Sequence, residues 1–117
     1  MPIFSKAQRL LDKTQFDAVY QRGRKSGDDF FLVITKNSDK DSPRLGLSVS
    51  ARSVGNAVNR NRIKRIIRSS FQQHCDQLPA IDIVVNTRNA AREATNDELR
   101  KSLAQHWARV VKQCSVR

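Results

Sequence analysis

The sequence predicts an α+β fold, a two-layer α/β sandwich in which helices pack on a sheet. Three observations lead there. The chain has 117 residues, room for a single domain spanning residues 1–117. Apolar residues recur at helical spacing in three segments and as alternating or continuous runs in three others. Those segments follow the order helix, strand, strand, helix, strand, helix. A hydrophobic fraction of 38% is enough to close a small core.

Residues 1–8 are expected to form a loose N-terminal arm. Thr14, with Asp17 three residues later, fits a helix N-cap, and Gly23 fits the matching stop. Between them Phe16, Val19 and Tyr20 fall on one face at i, i+3 and i+4. A short strand is expected near Arg24 to Ser26. Phe30 to Thr35 is a β-rich apolar run and reads as a buried strand, and 37–43 as a polar turn. Leu45, Leu47 and Val49 alternate with Gly46, Ser48 and Ser50. One face of that strand is apolar, and the other is small enough for a partner's backbone to approach.

Residues 56–78 read as one helix, with Ile63, Ile66, Ile67, Ser70, Phe71, His74 and Leu78 on one stripe. Pro79 ends it. Ile81, Ile83 and Val85 alternate into a further strand. Thr95 with Glu98 reads as a capping box for a last helix that carries Leu99, Leu103, Trp107, Val110 and Val111 inward.

The charge is more informative than the periodicity. The chain carries 22 Lys and Arg against 11 Asp and Glu, a net charge of +11. Residues 42–75 hold seven of those cations (Arg44, Arg52, Arg60, Arg62, Lys64, Arg65, Arg68) and no acid. Like charges held this closely repel unless an anion arrives, and nucleic acid is the commonest polyanion. Arg60, Lys64 and Arg68 repeat at i, i+4 and i+8, and Asn61 and Arg65 continue the basic face. Arginine's planar fork suits phosphate.

Other chemistries find little support. No apolar run approaches the ~20 residues of a membrane span, and no signal segment opens the chain, so the expected setting is cytoplasmic. Cys75 and Cys114 make neither a disulfide framework nor zinc spacing. His74 and His106 lie on or beside apolar stripes with no neighbouring motif, which favours packing over acid–base catalysis. Asp12, Asp28, Asp29, Asp39 and Asp41 show no pairing suited to a two-metal nuclease. No catalytic residue and no metal ligand is therefore expected.

The run Arg60-Asn61-Arg62-Ile63-Lys64-Arg65, preceded by Gly55-Asn56-Ala57-Val58 and followed by Ile66-Ile67-Arg68 and Phe71, resembles the signature of the bacterial ribonuclease P protein subunit. Arg44 to Ser50 resembles the strand before that signature, Gln15 to Gly23 the first helix, and Leu78 to Val85 the strand after the long helix. The resemblance runs from about residue 9 to 111.

It implies a mixed four-stranded sheet with an unusual left-handed βαβ crossover, the arrangement of ribosomal protein S5 domain 2. It also implies a role as protein subunit of a ribonucleoprotein whose catalytic RNA removes the 5′ leader of precursor tRNA. Magnesium would be bound mainly by the RNA subunit and the substrate. By the same resemblance Arg52, Arg60, Asn61, Arg62, Lys64, Arg65 and Arg68 would meet the catalytic RNA. Phe16, Tyr20, Ser48 and Ser50 would form the leader-binding cleft. Neither a membrane nor a small-molecule substrate is implied. Two positions depart from the family pattern: Ala51 stands where the first of two basic residues is expected, and Ile34 where some relatives carry an aromatic. Two competing classes share parts of this chemistry, a ribosomal-type structural RNA-binding protein and a stand-alone protein nuclease.

Overall fold

Four strands, β1 (Arg24–Gly27), β2 (Phe31–Asn37), β3 (Arg44–Ser48) and β4 (Ile81–Thr87), form one mixed sheet in the order β1-β2-β4-β3. This is a computed structural model, and it describes residues 13–38 and 41–115. The arm expected at residues 1–8 lies outside them. The β1–β2 and β2–β4 pairs are antiparallel, and β3–β4 is parallel. A parallel pair needs a crossover, and the helix between β3 and β4 supplies it. The helices are α1 (Lys13–Arg22), α2 (Ala51–Val54), α3 (Ala57–His74) and α4 (Asn96–Ser115).

Alternation along the strands assigns two faces. Phe31, Val33, Leu45, Ile81, Ile83 and Val85 point toward α3 and α4, joined there by Ile63, Ile67, Phe71, Leu99, Leu103 and Trp107 in the main core. On the opposite face Ile34 and Val84 meet Val19 of α1 in a smaller core, with Phe16 and Leu32 at its margin. Ser70 belongs to the inner stripe of α3 because the Trp107 indole N–H donates to its Oγ at 2.8 Å. Phe71 meets the Trp107 ring edge to face, with centroids 6.2 Å apart.

Several elements begin or end away from their expected positions. Helix α1 already includes Lys13, so Thr14 lies within it rather than capping it. Gly23 does follow the helix, its N–H donating to Val19 O at 2.8 Å, but it needs no left-handed backbone. It is glycine because a Cβ there would lie 2.4 Å from both Val19 O and Ile34 Cγ2. The expected helix 56–78 is shorter: Asn56 is its N-cap, it ends at His74, and residues 75–77 tighten into a 3₁₀ turn. The short helix α2 was not legible as a helix. It is capped by Ser50 and closed by Gly55 at φ 89°, a conformation favouring glycine. At α4 the capping box forms as read: Thr95 N–H donates to Glu98 Oε1 and Glu98 N–H to Thr95 Oγ1.

A polar cluster joins the β1–β2 turn to α4. Asp28 Oδ1 accepts from the Phe30 and Phe31 amides at 2.9 and 2.8 Å. Its Oδ2 accepts from the Ser102 hydroxyl and lies 3.2 Å from His106 Nε2. That last approach is too poorly aligned for a hydrogen bond. His106 Nδ1 lies 3.1 Å from Ser26 Oγ, which also accepts from Arg109 at 3.0 Å. The order Ser26, His106, Asp28 superficially matches a nucleophile–base–acid line. His106 is fully buried and Ser26 nearly so, which makes the cluster a structural tie.

Burial holds the His106 imidazole below its ordinary pKa, against the attraction of Asp28, and Arg109 and Arg88 push the same way as burial. A depressed folded pKa means the unfolded chain binds the proton more readily. The stability it contributes is complete above pH about 6.5 and is lost as pH falls through the folded value. Urea midpoints between pH 8 and 5 should therefore drop more steeply for the wild type than for His106→Gln. Parallel slopes would place the pH dependence elsewhere.

Candidate nucleic-acid interface

Helix α3 begins at the end of the sheet where β3 and β4 finish. The chain leaves β3, turns through α2 and Gly55, and enters α3 at Asn56, whose Oδ1 accepts from Asn59 N–H at 3.0 Å. Asn59 fixes this elbow: its amide donates to Val54 O at 2.7 Å and to Arg92 O at 2.9 Å. The Arg92 guanidinium lies against Gly55, its Nη2 3.1 Å from where a Cβ would be.

The basic residues of α3 then divide. Arg62 is spent on the fold. Its Nε donates to Asn59 Oδ1 at 2.9 Å, and its Nη1 donates to Ala94 O at 3.2 Å and Asn96 Oδ1 at 2.7 Å. Helical geometry explains this, since residue 62 sits a third of a turn from the 61–65–68 face and points at the loop entering α4. Two of its three guanidinium nitrogens are thus engaged within the protein, which sets Arg62 apart from its unpartnered neighbours.

Asn61, Arg65 and Arg68 are exposed, and Arg60 and Lys64 are half-exposed beside them. Among the described residues none of these five side chains has a hydrogen-bond or ion-pair partner, and neither does exposed Arg52 on α2. Arg60 even leaves its buried Nε unsatisfied. Asn61, Arg65, Arg68, Ser69 and Gln72 line a shallow groove of about 350 Å³ along the outer side of α3. The inner side of the same helix is packed through Ile63, Ile66, Ile67 and Phe71 and tied by Ser70 to Trp107, so the comb is held at a fixed orientation.

The second surface is the face of the sheet under α1. Register places Leu32, Asn86 and Ser48 in one row, Ile34, Val84 and Gly46 in the next, and Lys36, Asp82 and Arg44 in a third. Helix α1 covers Ile34 and Val84 through Val19. Beyond it Gly46 is buried and Ser48 partly exposed. Phe16 is half-buried at the wall, and Tyr20 is 38% exposed. The Tyr20 hydroxyl donates to Asn86 Oδ1, and Asn86 Nδ2 donates to Leu32 O at 3.1 Å, so the Tyr20 ring is fixed over the sheet. Arg44 and Asp82 close the far row with a bidentate pair at 2.8 Å.

Two expectations change here. Ser50 is not on the strand floor: β3 ends at Ser48, and Ser50 Oγ caps α2, accepting from Ser53 N–H at 3.1 Å. Ile34 is buried beneath α1, so its departure from an aromatic alters packing under the helix rather than an open surface. Asn86 and Arg92 were missed. Asn86 lies in a strand that reads as apolar, and Arg92 lies in sequence far from the basic run it joins in space. The exposed Val58, 79% accessible at the start of α3, is likewise visible only once the helix is placed.

No helix among the described residues is long and apolar enough to cross a membrane. The family model of ribonuclease P matches residues 4–111. A ribonuclease P protein component from Staphylococcus haemolyticus is 44% identical over 107 residues, covering 92% of each chain. One from Thioalkalivibrio sulfidiphilus is 38% identical over 112 residues, covering 96% of this chain and 93% of that one. The solved Staphylococcus aureus RNase P protein superimposes with a TM-score of 0.84 at 38% identity, over 92% of this chain and 97% of the other. The Thermotoga maritima protein gives 0.78 at 26% identity, over 87% and 96%.

The division within α3 has a direct consequence for stability. Arg62→Ala should lower unfolding free energy by about 2 kcal/mol, since it strips several charge-assisted hydrogen bonds. Arg65→Ala should stay within about 0.5 kcal/mol of wild type. Denaturant titration of the two variants measures both.

Proposed function

The chain belongs to the ribonuclease P protein family, and on that premise we propose that it binds a catalytic RNA through α3 and the 5′ leader of precursor tRNA through the cleft under α1. As a ribonuclease P protein component it is part of a tRNA-processing ribonucleoprotein with an RNA partner. The observation that carries the finer reading is the row of unpartnered donors at Arg60, Asn61, Lys64, Arg65 and Arg68 on a rigid helix. Arg52 and Arg92 extend that row around the elbow. Such a surface follows phosphates, and the counterions released from the RNA supply the driving force.

The cleft has the complementary chemistry. Unpaired nucleotides stack on exposed aromatic faces while polar groups meet sugar and base edges. Phe16 and Tyr20 offer the rings, and Ser48 and Asn86 the polar edges. A leader lying there emerges beside the elbow where α3 begins, so one protein orients both the leader and the catalytic RNA. Positioning of this kind converts loose encounters into a held geometry.

Hydrolysis is assigned to the RNA with its magnesium. Among the described residues no three His, Cys, Asp or Glu side chains converge on one point. An array of arginines also repels divalent cations that are not already held by phosphate.

Reconstitution with a bacterial ribonuclease P RNA tests the proposal. At low magnesium the protein should stimulate leader removal, and protein alone should cleave nothing. Absence of stimulation, with co-sedimentation on ribosomes, would favour a structural ribosomal role. Arg65→Ala with Arg68→Ala should weaken binding to the RNA and reduce the slope of log affinity against log salt by about 1 per lost contact. Tyr20→Ala should weaken binding of leader-bearing precursor about tenfold, within the ~1–3 kcal/mol of a stacked base, and leave mature tRNA unchanged. Equal losses for both ligands would return Tyr20 to a packing role.

A further inference from the structure

The sheet has two ends, and only one has been given a partner. The α3 elbow, Ser48 and Thr87 mark the first: Ser53 Oγ donates to Thr87 O at 3.2 Å. Arg44, Ile81, Asn37 and Arg24 mark the second, as the strand register requires. At this second end a groove of about 870 Å³ opens, lined by Arg22, Arg24, Lys36, Asn37, Ala80 and Gln113 among others. Its cations come from three different elements: the last turn of α1, the first residue of β1 and the end of β2. Among the described residues no Asp or Glu lines it.

The position of the groove matters more than its charge. Lys36 stands in the third row of the cleft face, in register with Asp82 and beyond Ile34. The floor from Ser48 back to Arg44 is about 13 Å long, which holds only a few nucleotides. A strand that enters beside α3 and follows the cleft leaves it at the row holding Lys36. Arg22 and Arg24 line the same groove as Lys36. Arg24 Nη1 is braced on Gln113 O at 3.3 Å, and Arg22 is exposed with no partner among the described residues.

We propose that this groove is a second subsite for single-stranded RNA, holding phosphates of the leader upstream of the nucleotides in the cleft. The inference rests on the leader-binding reading above. It makes the protein's contribution depend on leader length: short leaders end within the cleft, and long ones reach Lys36 and Arg22.

The test uses holoenzyme reconstituted with a bacterial ribonuclease P RNA and three ligands: mature tRNA, a precursor with a leader confined to the cleft, and a precursor with a long leader. The variant is Arg22→Ala combined with Lys36→Ala. Arg24 is left in place because it also braces α4. For the long leader the salt slope should fall by about 0.7 per lost contact. Between 50 and 200 mM salt the variant should therefore lose about sevenfold less affinity than wild type, at ~0.7 per contact for two contacts. Short-leader precursor and mature tRNA should bind as to wild type. Equal losses for short and long leaders would overturn the proposal and place these cations on the cleft or the catalytic RNA. No loss with any ligand would also overturn it. If wild-type protein itself fails to favour precursor over mature tRNA, the leader-binding reading has failed. If wild type discriminates and the variant matches it for the long leader, only the second subsite has failed.

Discussion

Strand β4 is buried on both faces, and the rest of the architecture answers to that demand. Ile81, Ile83 and Val85 need cover on one side and Val84 on the other. The first side receives α3 and α4, whose combined length spans the sheet. The second receives α1, a helix of ten residues. Val19 covers Ile34 and Val84, and Tyr20 beside it is tied to Asn86 in the neighbouring row. On the β3 margin Gly46 is buried and Ser48 partly exposed, so the accessible part of this face lies around Ser48, Asn86 and the Tyr20 ring.

The same economy separates structural from binding cations. An arginine that meets a carbonyl or carboxylate inside the protein has fewer donors left for a partner. Arg44 pairs with Asp82, Arg62 with Asn59 and the α4 entrance, and Arg88 with Asp28 O. Those at positions 52, 60, 65 and 68 meet no such acceptor among the described residues. The distinction cannot be made by counting charge, and it assigns a +11 chain a few specific contacts rather than a diffuse attraction.

Much of this was legible in the sequence because the governing signals are local. Period-two alternation located β3 and β4, the Thr95–Glu98 box located the start of α4, and the stripe through Ile63 and Phe71 fixed which side of α3 faces inward. What was not legible depended on contacts between distant segments. Arg62 looks like its neighbours in sequence, and only the loop before α4 distinguishes it. Ser50 continues the alternation of β3, but its hydroxyl is taken by α2. Ser26 and His106 are 80 residues apart, and nothing local announces their contact. Asn86 and Arg92 join their surfaces for the same reason, through the β2–β4 register and the Asn59 bridge.

Helix α3 carries one local conflict that bears on function. Its first turn has no acidic residue to complement the positive end of the macrodipole, and cations crowd the turns that follow. Like charges at i and i+4, as in Arg60 with Lys64 and Lys64 with Arg68, cost about 0.2–0.5 kcal/mol per pair. Burial of Ile63, Ile66, Ile67 and Phe71 contributes about 1.5–3 kcal/mol apiece and outweighs that cost. The Asn56 cap offsets part of the remainder. The helix therefore stays folded with its repulsion unrelieved, and the largest relief open to it is an external anion. A phosphate backbone laid along Asn61, Arg65 and Arg68 relieves that repulsion through charge-assisted hydrogen bonds. An acidic substitution on that face would trade this binding energy for stability, because a carboxylate would neutralise in advance the charge that an RNA is there to meet.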